Sequence, residues 1–146
     1  MEKVITTHSR EETQALAQKL GASLNQGITL LLIGDLGAGK TTFVQGLAKG
    51  LEVQSKVNSP TFVIMKEYQG KIPLVHIDAY RLEGVEQELG FDDYLEHEVV
   101  KVIEWPQYLI DNLQDFNTIT FDRIDENTRQ LTFNFKDDIT LWSRYY

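Results

Sequence analysis

The 146-residue chain has no cysteine, which excludes disulfides, thiolate metal sites and cysteine nucleophiles together and fits a reducing compartment. It contains no apolar run of about 18 residues or more, so no segment reads as a membrane-crossing helix. Its first residues, Met1-Glu2-Lys3-Val4, lack the basic and apolar regions of a secretory signal; a cytoplasmic location without membrane contact is expected. Positive charge is sparse. The 14 Lys and Arg residues stand against 22 Asp and Glu, for a net charge of −8, and they neither cluster along a helix nor interleave with aromatics. That argues against direct, stable gripping of a nucleic-acid backbone by the isolated chain. Repeats and low-complexity segments are also missing. What remains, with 42% hydrophobic and 25% charged residues, is long enough for one sizeable core and too short for two, so residues 1–146 are expected to form a single domain.

The chain is organised around Gly34-Asp35-Leu36-Gly37-Ala38-Gly39-Lys40-Thr41, which meets every fixed position of the phosphate-binding pattern G-x-x-x-x-G-K-[ST]. An apolar run, Ile28 to Ile33, precedes it and a helical pattern from Thr41 to about Lys49 follows. A triphosphate needs several convergent N–H donors, and a loop supplies them only where its backbone closes without Cβ atoms in the way; Gly34, Gly37 and Gly39 meet that need. The helix N-terminus adds partial positive charge, Lys40 can reach the β and γ phosphates, and the Thr41 hydroxyl can ligate Mg²⁺. The expected nucleotide-binding set is Asp35, Leu36, Gly37, Ala38, Gly39, Lys40, Thr41 and Thr42.

Around this loop the pattern alternates strands and helices. Val4 to Thr7 is β-prone; Ser9 and Glu12 form a capping box; Leu16, Leu20 and Leu24 give one apolar helix face that runs to Asn25. Gly50 reads as the C-cap of the loop helix. Val63–Tyr68 and Ile72–Ile77, joined by Gln69-Gly70-Lys71, read as a hairpin. An acidic stretch from Glu83 to Glu98 has weak helical spacing, Val99–Ile103 is another strand, and a short helix to Asn112 follows. Asn117–Ile124 and Arg129–Phe135 alternate around an Asp125-Glu126-Asn127 turn, ahead of a terminal segment, Ile139 to Tyr146. The expected class is α/β, with a mixed, mostly parallel sheet carrying antiparallel hairpins.

Bound nucleotide with Mg²⁺ also needs an acid to hold the cation and a group to orient the attacking oxygen. Asp78 and Glu104 both end β-prone runs. If those strands run parallel to the loop strand, both carboxylates reach the edge where phosphates bind. Ser59-Pro60-Thr61-Phe62 lies where a nucleotide-sensing switch belongs, with the Thr61 hydroxyl able to meet Mg²⁺ or the γ-phosphate. His76, in mid-strand, reads as a hydrogen-bonded structural residue. Arg81 can meet phosphate or pair with the acids after it, and Tyr80 and Trp105 read as core or rim aromatics.

The phosphate loop, Ser59-Pro60-Thr61-Phe62, His76-Ile77-Asp78-Ala79-Tyr80-Arg81 and Ile103-Glu104-Trp105-Pro106, in this order and spacing, closely resemble the TsaE (YjeE) family, small bacterial ATPases of tRNA threonylcarbamoyladenosine synthesis. The resemblance spans about residues 9–112. It implies a three-layer P-loop NTPase-like fold, Mg²⁺-dependent ATP hydrolysis, and work with TsaB- and TsaD-type partners in which nucleotide state resets the complex. tRNA would be met only indirectly. Carried over, Lys40 and the loop amides hold phosphates, Thr41 and Glu104 sit at Mg²⁺, Asp78 is the essential acid near the water or the metal, and Thr61 belongs to the switch. Two other classes compete. A small-molecule or nucleotide kinase would use the same loop, but no Arg-rich lid segment is present. A GTP-dependent switch would carry Asn-Lys-x-Asp, which this chain lacks, so adenine is the better expectation. A module that holds nucleotide without hydrolysing it is a further reading.

Overall fold

The computed structural model describes residues 2–34, 38–55, 57, 65–78, 99–104 and 117–135, with Met65 and Asp78 described through their backbone. Within these, β1 (Glu2–Thr7), α1 (Arg10–Ser23), β2 (Ile28–Ile33) and α2 (Lys40–Gly50) lead into β3 (Met65–Tyr68) and β4 (Leu74–Asp78). β5 (Val100–Glu104), β6 (Asn117–Arg123) and β7 (Arg129–Asn134) complete the described elements. The starts of expected runs at Val63 and Ile64, the acidic stretch 83–98, the short helix to Asn112 and the terminal segment 139–146 lie outside the described residues.

All seven strands join one sheet in the order β1-β7-β6-β2-β5-β4-β3. β2 is parallel to β5 on one side and β6 on the other, and β5 is parallel to β4. The outer pairs β3–β4, β6–β7 and β1–β7 are antiparallel. A parallel centre with antiparallel margins is thus the observed architecture. β2 follows from its composition: buried on both faces, it has no use for alternation and is apolar apart from Thr29. The Asn117–Arg123 and Arg129–Asn134 strands do alternate, since their second face is partly open.

One face of the sheet carries Leu30, Leu32, Val102, Ile119, Phe121 and Phe133 into a core shared with Leu16 and Leu20 of α1 and Phe43, Val44 and Leu47 of α2. Phe43 meets Phe121 edge-on at 5.5 Å between centroids. Full burial of each such side chain contributes about 1.5–3 kcal/mol. The opposite face is buried at its centre too, through Leu31, Val75, Ile77 and Ile103.

Local signals set the helix ends, with corrections. Ser9 is extended and its Oγ accepts from Glu12 N–H at 3.0 Å. The Glu12 carboxylate faces His8 Nδ1 at 3.5 Å, so half of the capping box forms. α1 stops at Ser23 rather than Asn25 because Leu24 turns extended. Gly50 is not the C-cap of α2. It is the last helical residue, and the left-handed position falls to Glu52, with φ 64°. There Glu52 N–H donates to Lys49 O at 3.1 Å and Val53 N–H to Ala48 O at 3.0 Å, the paired bonds of a Schellman ending.

Gly50 serves packing instead. A Cβ at Gly50 would lie 2.2 Å from Gln18 O, and one at Gly46 would lie 2.3 Å from Gln14 O. The two glycines, one turn apart, let the backbone of α2 approach that of α1, and this holds α2 and its N-terminus against the sheet.

Candidate functional site

β2 delivers the chain into the phosphate loop at the C-terminal edge of the sheet, and α2 starts immediately after it. The residue that caps α2 is Gly39, in the left-handed region at φ 104°, with no side-chain cap and no acidic residue in the first turn. A side chain there would be strained, and a capping carboxylate would occupy the N–H groups that an anion needs. Among the described residues no side chain caps this helix start, an arrangement that suits phosphate binding.

Lys40 opens the helix and is 5% exposed. Its Nζ reaches back and donates to Gly34 O at 2.6 Å, which ties together the two described ends of the loop. Ala38 is buried beneath, and Thr41 and Thr42 are half-buried in the first turn. Asp35, Leu36 and Gly37, together with Thr61, Tyr80, Arg81 and Trp105, lie outside the described residues.

The two strand-end acids occupy matching positions. Asp78 and Glu104 are register partners on parallel β4 and β5, and Glu104 is in turn the partner of Leu32 on β2. With neighbouring strands about 4.8 Å apart, Glu104 stands one strand from the entrance to the loop and Asp78 two. The carboxylate of Glu104, 5% exposed, accepts from Nε2 of the fully buried His76 through its Oε2. With Glu104 ionised, the carboxylate can only accept, so Nε2 carries the hydrogen. This orients the carboxylate and leaves Oε1 unengaged among the described residues. His76 Nδ1 is buried without a partner there. The reading of His76 as a hydrogen-bonded structural residue agrees with this pairing. What it misses is the identity of the partner, because 28 residues separate the two in sequence and only parallel pairing of β4 with β5 joins them.

The other flank of β2 carries a residue that sequence reasoning passed over. Arg129 opens β7, and its Cγ and Nε lie 3.8 and 4.0 Å from where a Cβ would stand on Gly39. Its Nη1 donates to the carbonyls of Asp125 at 2.8 Å, Thr128 at 3.1 Å and Glu126 at 3.2 Å. The same turn is closed by Asp125, whose Oδ1 accepts from Thr128 N–H at 2.8 Å and Asn127 N–H at 2.9 Å. Those N–H groups, Thr128 first, hold the Asp125 carboxyl below its ordinary range. No local sequence signal marks Arg129, since an Arg after a turn is commonplace.

Among the described residues no group of three or more His, Cys, Asp or Glu gathers to hold a metal ion. The oxygen donors present, the Thr41 hydroxyl and the strand-end Glu104, suit a hard cation that keeps waters and takes phosphate oxygens as further ligands. Among the described residues, no helix is long and apolar enough to cross a membrane.

Comparison with known proteins agrees with this geometry. The family model of the threonylcarbamoyl adenosine biosynthesis protein TsaE matches residues 7–131. A Bacillus subtilis protein named tRNA threonylcarbamoyladenosine biosynthesis protein TsaE is 43% identical over 129 residues, 87% of this chain and 82% of that protein. A Treponema pallidum protein of the same name is 34% identical over 129 residues, covering 86% and 96%. The crystal structure of Bacillus subtilis YdiB matches with a TM-score of 0.83 at 35% identity, over 99% of this chain and 96% of that one. The fold is accordingly P-loop NTPase-like.

Proposed function

This chain belongs to the TsaE family of threonylcarbamoyl adenosine biosynthesis proteins, and from that we propose that it is a single-domain, cytoplasmic, Mg²⁺-dependent ATPase required for threonylcarbamoyl modification of tRNA. It works with TsaB- and TsaD-type partners, and tRNA is met through that complex. The observation that carries the reading is the helix start at Gly39, which has no side-chain cap, with the Lys40 ammonium bonded back to Gly34 O.

The first-turn N–H groups of α2 and Lys40 bind the β and γ phosphates, with Asp35, Leu36, Gly37 and Ala38 completing the cradle and Thr42 at its far side. Thr41 and Glu104 would hold Mg²⁺, which would supply charge neutralisation for the phosphates. Asp78, one strand beyond, orients the attacking water. That water's oxygen forms the new bond to the γ-phosphorus as the bond to the bridging oxygen breaks, giving ADP and phosphate. His76 keeps Glu104 aimed at the loop. Thr61 belongs to the segment that reports nucleotide state to the partners. Hydrolysis by the chain alone is slow: the sequence offers no obvious arginine finger in cis, and such a group is worth about 10³ or more in rate.

Lys40→Ala tests the reading. Loss of ATP binding or of turnover is the expected result, and retained activity refutes it. Phosphate appearing on a small-molecule acceptor rather than in water would favour a kinase.

A further inference from the structure

Two buried polar atoms, the Tyr68 hydroxyl and His76 Nδ1, have no hydrogen-bond partner among the described residues. Tyr68 is 4% exposed and His76 0%. The register of the sheet brings them together. β3 and β4 are antiparallel, with Lys66 opposite His76 and Tyr68 opposite Leu74. Tyr68 and Leu74 both belong to the core shared with the helices, and His76, two residues on from Leu74, lies on that same face. Tyr68 and His76 are thus diagonal neighbours, about 7–8 Å apart at the backbone and within reach of an aromatic side chain. Lys66, directly across from His76, has its Nζ 5.3 Å from the centroid of the Tyr68 ring, so phenol and imidazole share a neighbour.

Their chemistry is complementary. His76 gives its Nε2 hydrogen to Glu104, so Nδ1 of the neutral ring holds a lone pair and needs a donor, while the Tyr68 hydroxyl has a hydrogen to give. Left unbonded away from solvent, each carries the desolvation cost of a polar group. They do not bond to each other directly, and a water is the smallest group that can accept from one and donate to the other. We infer that one internal water joins the Tyr68 hydroxyl to His76 Nδ1, and that Tyr68 is thereby a positioning residue for Glu104. Hydrogens then point one way along the chain, from Tyr68 through the water and the imidazole to the carboxylate, so each bond polarises the next. The imidazole is held at both nitrogens, which fixes its tautomer and ring plane and, through Nε2, the aim of Glu104. Because Glu104 is the acid assigned above to Mg²⁺, this rests on the ATPase reading and adds a residue to it.

The test is nuclear magnetic resonance of the full chain labelled with ¹⁵N at its three histidines, without nucleotide, the His76 signals being identified by their loss in His76→Gln. In the parent, His76 is expected to carry its hydrogen on Nε2, to show Nδ1 displaced upfield by an accepted hydrogen bond, and to show Hε1 in contact with a long-lived water. Tyr68→Phe removes the hydroxyl and keeps the ring. It should move Nδ1 downfield and lower kcat for ATP hydrolysis with Mg²⁺ about three- to tenfold, the worth of one hydrogen bond, at unchanged ATP affinity by calorimetric titration. Melting the variant without ligand confirms that it is folded; a purely structural tyrosine would alter the melt and leave Nδ1 and kcat alone. A hydrogen on Nδ1, or no water at Hε1, overturns the inference in the parent by itself, which decides it should the Phe variant unfold. In the folded variant an unmoved Nδ1, an unchanged kcat, or a loss of ATP affinity as large as the loss of kcat overturns it. Parent protein that does not hydrolyse ATP removes the ATPase reading, a result distinct from His76 signals that lack the water.

Discussion

Replacing Gly50 with Ala probes the contact that holds α2, and with it the phosphate site, in place. The new Cβ would lie 2.2 Å from Gln18 O, 2.7 Å from Ala22 N and 2.9 Å from Gly21 Cα. All three are backbone atoms of α1, so no side chain can rotate aside. Restoring an ordinary carbon–oxygen separation needs the helices to part by about 1 Å, a gap that forfeits a quarter to a half of each dispersion contact it opens. The side chains affected are those between Leu16 and Leu20 on α1 and Val44 and Leu47 on α2. Overpacking of this sort costs about 1–3 kcal/mol, and the rigid neighbours put this case at the upper end. Against it stands the helix preference of Ala over Gly, about 1 kcal/mol. The net expectation is a loss of about 2 kcal/mol, out of a total stability on the order of 5–15 kcal/mol. Urea unfolding should show a lower midpoint at unchanged slope, and the melting temperature should fall by about 4–8 °C. Lys49→Ala, at an exposed neighbour, is the control and should move stability by less than about 0.5 kcal/mol. Gly46→Ala should behave like Gly50→Ala, and the double variant should lose less than the sum, since one displacement relieves both clashes. A Gly50→Ala protein as stable as its parent refutes the close-packing argument.

Three further outcomes are expected. His76→Leu strips the buried Glu104 carboxylate of its donor and should cost about 1.5–3 kcal/mol, whereas His76→Gln, which retains an N–H, should cost less; equal urea midpoints for the two would show that the donor does not matter. Glu52→Gly relieves the left-handed backbone at φ 64° and should raise stability by about 0.5–1 kcal/mol, the left-handed penalty less the added chain entropy of glycine. A fall in the melting midpoint instead would contradict the Schellman assignment. Asp125 has a folded-state pKa below its ordinary value of 3.8. Its contribution is therefore complete at neutral pH and disappears as pH falls through the folded value. Thermal melts of the parent and Asp125→Asn should differ at neutral pH and converge in acid; a gap that persists at the lowest pH goes against the N–H bonds as its source.

Much of the site was legible one stretch at a time. Loop, strand and helix sit together in sequence, so the pattern from Ile28 to Lys49 signals its described parts: an apolar run buried on both faces, a glycine in the left-handed region at Gly39, then a lysine and a threonine at a helix start. The acids at Asp78 and Glu104 could be recognised as strand ends for the same reason, since each closes its own β-prone run. These are short-range properties, set by steric and hydrophobic preferences that act within a few residues.

Contacts between distant segments needed the folded sheet. Parallel pairing brings Glu104 to His76 and places Asp78 level with it. Pairing of β6 with β2 swings Arg129 to the side of Gly39, 90 positions away in the chain. Gly50 likewise looked like a helix ending, because a glycine after a helical pattern usually is one, and only the approach of α1 explains why a side chain is forbidden there. A residue's neighbours in its own strand or helix follow from backbone periodicity. Its neighbours across the sheet depend on strand order, and strand order is decided by how the whole set of apolar faces can be buried at once.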